Sequence, residues 1–542
     1  MKQLVFILSI LLITGCSSLD NTNTNTATME NNGIIDNGNH GGDTGNNENG
    51  NITDNNGQET GGDNNHNGGE NNIEEDSSLY IHSLNHGINS LNDFSGKTLT
   101  STIYFYDNKQ EQKTTSFSIK GNNSPVIKEE SNNYYKHHHE ITDRELLDEY
   151  ITQSIKELDE NNIKPINYNN GNNLYLKSGQ LQNIKVGDAW NNIYVSNING
   201  SGASYNMINA TCIAVSNHAY FFLQNGLQKL TSEQISEITS SFDKDYKVIH
   251  EKFGEESDVD NNGKIIFLIT DLPKGIMGFF FNLDKYYNNQ LHQSQRYSNE
   301  ADMLYINAKY FQADIWKQEK TNVLATFIHE FQHMTFFDTR TKNKLKTGDA
   351  RWLNEGLSMI SEYYGGYGMA HYNYVNGYFH KGQGSSLVTE DTSLDYGLQL
   401  LFTRYLQERF GDSYIKKIYI SKETGKKAVE EAVNMDFDLL YTDFVKMISV
   451  TGRNLTKDKR YNIQGFNYAK GSAEYNKSGF NLADIIDTSY SYNKNNEEFI
   501  ATKGYNKTLN NYSFILTKWN NNTSTINLET NDPNIHGIYN IW

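Results

Sequence analysis

Apolar side chains recur along this chain in two spacings, which alternate in blocks and predict both helices and strands. The clearest helix opens at the capping box Thr231-Ser-Glu-Gln234, after which apolar residues return every three or four positions as far as Phe253. Compact apolar runs at 264–270 and 303–306 have the length and composition of buried strands. Blocks of both kinds within one chain indicate the α+β fold class.

The stretch 78–178 has its own pattern and is predicted to form a small N-terminal domain. Positions alternate between apolar and polar at 99–106 and 114–119, with a polar turn between the two runs, and this predicts a β-hairpin. A second capping box, Thr142-Asp-Arg-Glu145, then opens a helix that runs to about Asp159.

Helical spacing returns in the second half of the chain, at 395–410, 426–433 and 439–449. After these helices the sequence becomes rich in Asn and Tyr, with short alternating runs such as 512–518. We therefore predict a helical subdomain followed by a β-rich C-terminal region over 456–542.

The first 16 residues have the features of an export signal, with Lys2 before an apolar run over 4–13 that is too short to span a bilayer. The run ends in Ile13-Thr-Gly-Cys16, which resembles the lipobox of bacterial lipoproteins and implies cleavage before Cys16 and lipidation of its thiol. The alternative is an ordinary signal peptide with an incidental cysteine. Residues 17–77 are almost wholly Asn, Gly, Thr, Asp and Glu, so they cannot bury enough apolar surface to fold. We expect a disordered tether and a lipid anchor on the bacterial cell envelope, outside the cytoplasm.

Composition and charge narrow the classes of function. A length of 542 residues allows three or four domains with a large core. The formal net charge of −18 leaves no basic footprint for a nucleic acid, which excludes that class of partner. Cys212 is the one cysteine besides Cys16, so the mature chain is expected to have no intrachain disulfide.

The candidate chemistry centres on His329-Glu330-x-x-His333, inside a run over 322–337 that is predicted to be one buried helix. Residues four apart share a helix face, so the two imidazoles can converge on one metal ion. Glu330 lies at the edge of that face, where a carboxylate can take a proton from metal-bound water without being a ligand.

Catalytic zinc commonly has three protein ligands and a water. The segment Trp352-Leu-Asn-Glu-Gly-Leu-Ser358 begins another helical pattern and supplies Glu355 as the predicted third ligand, with Glu362 as the alternative. A core helix that only happens to carry two histidines is the competing interpretation. The motif inside a buried helix, followed by the Asn-Glu-Gly segment, favours zinc.

These residues resemble the gluzincin arrangement of thermolysin-like enzymes and zinc aminopeptidases, and most closely the hyicolysin family of bacterial metallopeptidases. Segments such as Lys185-Val-Gly-Asp-Ala-Trp190 and Asp302-Met-Leu-Tyr-Ile306 extend the resemblance over about 180–450.

Two departures refine the resemblance. Phe336 and Thr339 stand where a metzincin would have Gly and a third His, which excludes that branch. Met359 stands where thermolysin-like enzymes have an Asp, so the partner that orients a zinc histidine is expected from elsewhere in the chain.

The resemblance implies a zinc endopeptidase acting on proteins or peptides. Its domain is expected over 179–455, with a mixed sheet, an active-site helix and a helical C-terminal subdomain, flanked by small β-rich domains. It further implies that the strand at 303–306 edges the cleft, where an extended peptide can pair with it. Related zinc peptidases use a tyrosine near this place to hydrogen-bond the oxyanion, so Tyr396 is the candidate, and three other residues compete for that role: His371, Tyr372 and His380. The rival hypothesis is a non-catalytic surface lipoprotein, an adhesin or host-binding module on a peptidase-like fold, against which the intact Glu330 argues.

Two further metal candidates are weaker. The first half of a calcium loop is matched by Asp258, Asp260 and Asn262, but Ile269 stands where the usual glutamate would be. A plain turn leading into the strand at 264–270 is the alternative interpretation of that segment. The three consecutive histidines at 137–139 cannot all face one ion, so a solvated segment before the helix is predicted there.

Overall fold

The computed structural model describes these stretches of the chain: 81–91, 97–110, 113–122, 143–166, 181–199, 202–292, 297–348, 350–388, 396–491, 505–519 and 523–542. They belong to one compact unit, Glu74–Trp542. Cys16, the segment 17–77 and the histidines at 137–139 lie outside the described residues, so the predictions about them stay predictions. Among the described residues, no helix has both the length and the apolar character needed to cross a bilayer.

The described residues contain helices and sheets, which confirms the α+β prediction. In chain order, the strands are β1 (Ile81–Leu84), β2 (Gly87–Ser90), β3 (Leu99–Phe105), β4 (Thr114–Gly121), β5 (Ala189–Asn199), β6 (Gly202–Val215), β7 (Ala219–Gln224), β8 (Ile265–Thr270), β9 (Gly278–Phe280), β10 (Met303–Asn307), β11 (Tyr505–Asn510), β12 (Ser513–Trp519), β13 (Thr525–Glu529) and β14 (Ile535–Ile541). The α-helices are α1 (Asp143–Glu160), α2 (Ser232–Lys252), α3 (Ala313–Lys342), α4 (Arg351–Gly365), α5 (Tyr372–Gly377), α6 (Tyr396–Phe410), α7 (Ser413–Ile420), α8 (Gly425–Val433), α9 (Phe437–Val450), α10 (Ala473–Ser478) and α11 (Leu482–Ser491).

Helix α2 begins where its capping box predicts. The Thr231 hydroxyl accepts a hydrogen bond from the Gln234 N–H, and the Gln234 side chain accepts one from the Thr231 N–H. The apolar stripe of the helix, which includes Ile238, Phe242 and Ile249, is buried. Helix α1 also lies at its predicted position.

The centre of the unit is a six-stranded mixed sheet in the order β5-β6-β7-β8-β10-β9. Strands β7, β8 and β10 run parallel, whereas β9 is antiparallel to β10. Every residue of β8 and β10 is buried, as expected for parallel strands covered by helices. Helices α2 and α3 cover them through Phe242 and Phe327, which both contact Phe267 of β8.

The edge of this sheet near α3 is β9, and the prediction that the strand at 303–306 forms the edge is wrong. That strand exists as β10, but it is hydrogen-bonded to β8 on one side and to β9 on the other. Strand β9 has only three residues, too few for a recognisable pattern, which is why the sequence placed the edge one strand inward. At this end of the sheet β9, and not β10, is therefore the strand with a single strand neighbour among the described residues.

The first and last described parts of the unit form a β-sandwich together. One sheet has the order β1-β14-β3-β12 and the other β11-β4-β13-β2, so each combines N-terminal and C-terminal strands. The predicted hairpin is wrong, because β3 and β4 lie in different sheets and pair with C-terminal strands. Two alternating runs joined by a polar connection can form a hairpin, or they can be strands of two different sheets, and the pattern does not distinguish the two. Ile103, Phe117 and Trp519 belong to the core of the sandwich.

The helical part lies between the mixed sheet and the sandwich. Helix α4 packs against α3 and α6, and α9 packs against β3 and β14. Tyr441 of α9 contacts the rings of Tyr104 and Tyr512, which belong to opposite ends of the chain. Helices α10 and α11 occupy part of the predicted β-rich region, so the described β structure of that region begins only at Tyr505.

Candidate metal centre

The His-Glu-x-x-His motif lies in the second half of α3, which is longer than the predicted 322–337 helix. Phe327 and Phe331 anchor the helix on one side, through ring contacts with Phe267 and Phe242. The motif histidines face α4 instead. The aromatic contacts therefore fix the helix so that both imidazoles point towards α4.

Helix α4 approaches α6 closely at Gly356, the glycine of the Asn-Glu-Gly segment. The Thr403 hydroxyl of α6 donates a hydrogen bond to the Gly356 carbonyl at 3.0 Å. A Cβ atom at position 356 would lie 2.6 Å from Thr403 Cγ2, so the glycine is required by packing. This contact sets the position of the neighbouring Glu355.

Three side chains of metal-ligand type converge between α3 and α4. Ligand atoms of His329, His333 and Glu355 all lie within 4.8 Å of one another. Glu355 Oε2 lies 3.2 Å from His329 Nε2, and Glu355 Oε1 lies 3.8 Å from His333 Nε2. Tetrahedral zinc with bonds of about 2.0–2.2 Å holds its ligand atoms roughly 3.3 Å apart. The chemistry and the spacing of this donor set therefore fit zinc.

Glu362, the alternative ligand, lies on the other side of the His329 ring. Its Oε1 is 2.7 Å from His329 Nδ1, and its Oε2 is 3.2 Å from His371 Nε2. It thus contacts the ring nitrogen that does not face Glu355, as carboxylates that orient histidine ligands do. The supporting carboxylate that Met359 cannot supply is therefore present at position 362.

The close contacts between histidines and carboxylates in this cluster shift the pKa values of His329 and Glu362. Burial lowers the pKa of His329, but its hydrogen bonds with Glu355 and Glu362 outweigh burial and raise that pKa to about 10 in the absence of a cation. Burial raises the pKa of Glu362, and the hydrogen bonds from His329 and His371 reverse this and hold it below its usual value. The paired carboxylates therefore favour positive charge at this point of the molecule.

Glu330 lies beside the donor set without belonging to it. Its side chain is buried, and its Oε2 accepts a hydrogen bond from the Phe280 N–H at 3.0 Å. This bond ties the carboxylate of α3 to the edge strand β9. A carboxylate in this position is available for proton transfer beside the metal ligands.

A cavity adjoins the cluster and brings several elements together. Glu330 and His333 of α3 and Glu355 of α4 line one part of it, and Phe280 of β9 lines another. Ile151 of α1 also lines it. Helix α1 was predicted to lie in a separate N-terminal domain, yet it forms a wall of this cavity.

Tyr396 is not among the residues that line the cavity, but its hydroxyl accepts a hydrogen bond from Arg351 at 3.4 Å, and Arg351 does line it. The competing residues do not line it either. His371 is buried against Glu362, Tyr372 is 41% exposed, and His380 Nδ1 lies 2.8 Å from the Asn376 carbonyl oxygen. Arg351 is therefore the link between Tyr396 and the cavity.

The calcium-loop candidate forms a closed turn that leads into β8. The Asn262 N–H donates to Asp258 Oδ1 at 3.0 Å, and the Asn262 side chain donates to Asp260 Oδ2 at 2.8 Å. Carboxylates of Asp258, Asp260 and Asp302 lie within 4.8 Å of one another, and Lys285 forms an ion pair with Asp302. These bonds match the turn interpretation, and calcium binding stays a prediction.

Comparisons with known proteins agree with the donor set. No family model matches the chain. The chain is similar to the neutral metalloprotease ShpI of Staphylococcus hyicus, with 29% identity over 259 residues. The similarity covers 45% of this chain and 58% of that protein, so the chain spans little more than half the length of this relative. The chain is therefore related to a metalloprotease.

The structure adds residues that the sequence did not single out. Arg351 directly precedes the predicted third-ligand segment, but one basic residue before a helical pattern carries no distinctive signal. Asn282 lines the cavity from a 3₁₀ turn, and a lone Asn has no signal at all in a chain rich in Asn. Glu362 is predicted as the alternative ligand, whereas in the structure it is the partner of His329 Nδ1.

Proposed function

We propose that the protein is a zinc metalloendopeptidase that hydrolyses peptide bonds in proteins or peptides. The observation that carries the proposal is the convergence of His329, His333 and Glu355 beside the buried Glu330, next to a cavity that His333, Glu355 and Glu330 line. The similarity to a protein named a neutral metalloprotease supports it.

In this proposal His329, His333 and Glu355 hold the zinc ion. Bound zinc supplies Lewis acidity and lowers the pKa of water at the site. Glu330 takes the proton of the attacking water and then delivers it to the leaving amine. The Phe280 N–H keeps the Glu330 carboxylate in place for both transfers.

Negative charge on the substrate carbonyl oxygen needs a donor on the cavity wall. Arg351 is such a donor, and the hydroxyl of Tyr396 holds its guanidinium at 3.4 Å. We assign oxyanion stabilisation to Arg351 with Tyr396 as its positioning partner, and a direct bond from Tyr396 to the oxyanion is the alternative.

The edge strand supports an endopeptidase. Among the described residues β9 has one strand neighbour, β10, and its other side is covered where the Phe280 N–H donates to Glu330, so we place the extended peptide alongside β9 and not in ladder pairing with it. Phe280 of this strand contacts Glu330, so a peptide along β9 passes the proposed general base. Chain ends are not needed for that mode of binding.

The proposal includes a location. The lipobox-like Ile13-Thr-Gly-Cys16 supports cleavage before Cys16, lipidation of its thiol and a place on the bacterial cell envelope outside the cytoplasm. Two or more acyl chains anchor a protein stably, whereas one chain exchanges. The wild-type protein should partition into detergent, and the Cys16→Ser protein should stay in the aqueous phase; equal partitioning of both would remove the lipid from the proposal.

Metal analysis together with proteolysis tests the function. The purified protein should contain about one zinc per chain, cleave unfolded casein, lose activity with a chelator and regain it with zinc. Protein without zinc would contradict the metal site. Zinc-loaded protein that cleaves neither casein nor a peptide library would contradict the peptidase and favour the non-catalytic surface lipoprotein.

A further inference from the structure

The cavity beside the metal cluster has mainly apolar walls, to which Ile155 of α1 and Phe337 of α3 contribute. Asn282, the first residue of the 3₁₀ turn Asn282–Lys285, also lines it. This asparagine follows β9 by two residues in the chain. It therefore adjoins both the proposed path of the substrate and the pocket beside it.

The Asn282 amide is buried and has no hydrogen-bond partner in the described part of the chain. It is 0% exposed, and neither its Oδ1 nor its Nδ2 has a partner among the described residues. Asp284 in the same turn accepts hydrogen bonds from the Asn299 N–H and the Tyr305 O–H, both at 2.6 Å. Proteins rarely leave a buried amide without a partner, because the lost hydration is not replaced. Because the amide of this wall residue is covered as well as unpartnered, a ligand in the cavity would complete its bonds after the neighbouring side chains move aside.

The size of the cavity limits what that ligand is. Its volume is about 100 Å³. Pockets that hold whole small ligands measure roughly 300–1,000 Å³. The cavity thus has room for a single side chain. Because Glu330 and Glu355 line the same cavity, the side chain that enters it belongs to a residue next to the scissile bond.

We propose that Asn282 is a specificity-determining residue that receives the carboxamide of a substrate Asn or Gln next to the scissile bond. The proposal rests on the peptidase function proposed above. A carboxamide has a donor and an acceptor in one plane, so it completes both bonds of the Asn282 amide at once. A hydrocarbon completes neither. A carboxylate only accepts and lies close to Glu330 and Glu355, and an ammonium group only donates and lies close to Arg351.

Paired peptides test the proposal by binding as well as by cleavage. One pair of peptides carries Asn or its near-isostere Leu, and a second pair carries Gln or Met. The two peptides of a pair differ only at that residue. Each pair is made twice, with the varied residue on one side of the scissile bond and then on the other. Binding is measured to zinc-loaded Glu330→Gln protein, and kcat/KM to the protein with Glu330 intact. The carboxamide peptide should be favoured about tenfold in each pair on one side of the bond, as expected for two neutral hydrogen bonds. In Asn282→Leu that preference should vanish or reverse.

Asn540→Leu is the matched control. Asn540 is also buried, and its amide oxygen has no partner among the residues that the structure describes, but it lies on β14 and does not line the cavity. Its replacement should leave the preference unchanged. If Asn282→Leu does not fold, Asn282→Ala should lose the preference in the same pairs.

Two results would overturn the proposal. One is a preference that survives replacement of Asn282. The other is that replacement of Asn282 lowers binding and kcat/KM equally for every peptide in the pairs, which would indicate a contact with the substrate main chain. If the protein with Glu330 intact cleaves nothing, the peptidase proposal fails, and the binding pairs still decide whether Asn282 selects carboxamides.

Discussion

Neighbouring residues on α3 have different roles in the proposed site. His329 contacts Glu355 and Glu362, whereas Glu330 contacts the Phe280 N–H of β9. Glu330→Gln keeps the shape of the side chain and removes the base, so the protein should retain zinc and lose about 10²–10⁴-fold in peptide hydrolysis. Zinc analysis and kcat on one peptide check this. His333→Ala is the contrasting variant, since it should lose the metal itself; near-normal turnover by Glu330→Gln would contradict the mechanism.

The two glutamates of α4 should differ in their effect on metal binding. Glu355 faces both histidines, so Glu355→Ala removes a ligand, whereas Glu362→Ala removes only the partner of His329 Nδ1. Loss of such an outer partner typically weakens metal binding by about 10–100-fold, and loss of a ligand should weaken it further. A competitive zinc titration of both variants gives the order. The reverse order would make Glu362 the ligand.

Asp245 of α2 should make stability depend on pH. Burial raises its pKa from the ordinary 3.8 to about 7. The folded state therefore holds the proton more tightly than the unfolded state, so stability falls as pH rises from about 4 to about 7 and stays lower above that. At high pH this lowers the free energy of unfolding by at most about 4 kcal/mol.

Asp245→Asn should remove that cost, because the neutral amide oxygen can still accept the bond that the Tyr367 hydroxyl donates at 2.7 Å. The variant should unfold at a higher temperature than the wild type near pH 8 and at a similar temperature near pH 4.5. Thermal unfolding at the two pH values checks this. If the melting temperatures of the variant and the wild type differ equally at the two pH values, the ionisation of Asp245 is not the cause.

At the residue scale the sequence was informative where chemistry requires a fixed spacing. His329, His333 and Glu355 were predicted from a helical interval and a following motif, and the fold brings them together. Arg351 and Asn282 were not predicted, because their positions depend on how α4 and the turn after β9 meet the cavity. Such tertiary placement has no periodic signal in one sequence.

At the scale of elements, the packing of α4 on α6 determines where Glu355 lies. In Gly356→Ala the new methyl would lie 2.6 Å from Thr403 Cγ2 and 3.2 Å from the Gln399 carbonyl oxygen, so the helices must separate. Overpacking of this kind costs about 1–3 kcal/mol, and we expect weaker zinc binding as well because Glu355 moves with the helix. Denaturant unfolding and a zinc titration measure both effects.

Gly377→Ala in α5 is the control for that prediction. A Cβ at position 377 meets nothing within 4 Å, so this variant should be neutral or up to about 1 kcal/mol more stable. Equal stability of the two alanine variants would show that α4 tolerates displacement from α6.

Long amphipathic helices and the buried apolar strands β8 and β10 were predicted, whereas the shortest strand, β9, was not. Helix α2 has its predicted capping box and stripe. The three-residue β9 was not predicted, although it forms the edge of the sheet beside Glu330. The strand at the cleft is therefore β9 and not β10. Three residues cannot display an alternation, and only the pairing with β10 makes β9 a strand.

At the scale of the whole molecule, strands that lie about 400 residues apart form one sandwich. Trp519 of β12 pairs with Leu99 of β3, and Tyr505 of β11 pairs with Ile119 of β4. Strands β3, β4 and β12 were predicted from alternation and β11 was not, and alternation does not identify a partner. The local hairpin was therefore the wrong pairing of correctly predicted strands.

The sandwich also supports the metal-binding part, which leads to a prediction about truncation. Strand β12 joins the segment before α6, because the Gly384 N–H donates to the Phe514 carbonyl at 3.0 Å. Tyr512 packs on Phe437 of α9, with ring centroids 5.3 Å apart. A chain that starts at Ser78 keeps every described strand, so it should be soluble and as active on small peptides as the mature protein.

A chain that ends at Ser491 loses β11–β14, and β3 and β4 lose all the strands with which they pair. It also exposes the apolar face of α9 that Tyr512 and Phe514 cover. Unpaired strand edges and newly exposed apolar surface promote aggregation, so this chain should be largely insoluble or bind zinc poorly. Size-exclusion chromatography, zinc analysis and thermal unfolding compare the two truncations. The contrary result is a chain ending at Ser491 that is monomeric and zinc-loaded and that has the melting temperature and peptide hydrolysis of the chain starting at Ser78. It would show that the sandwich is dispensable and that the metal-binding part folds by itself.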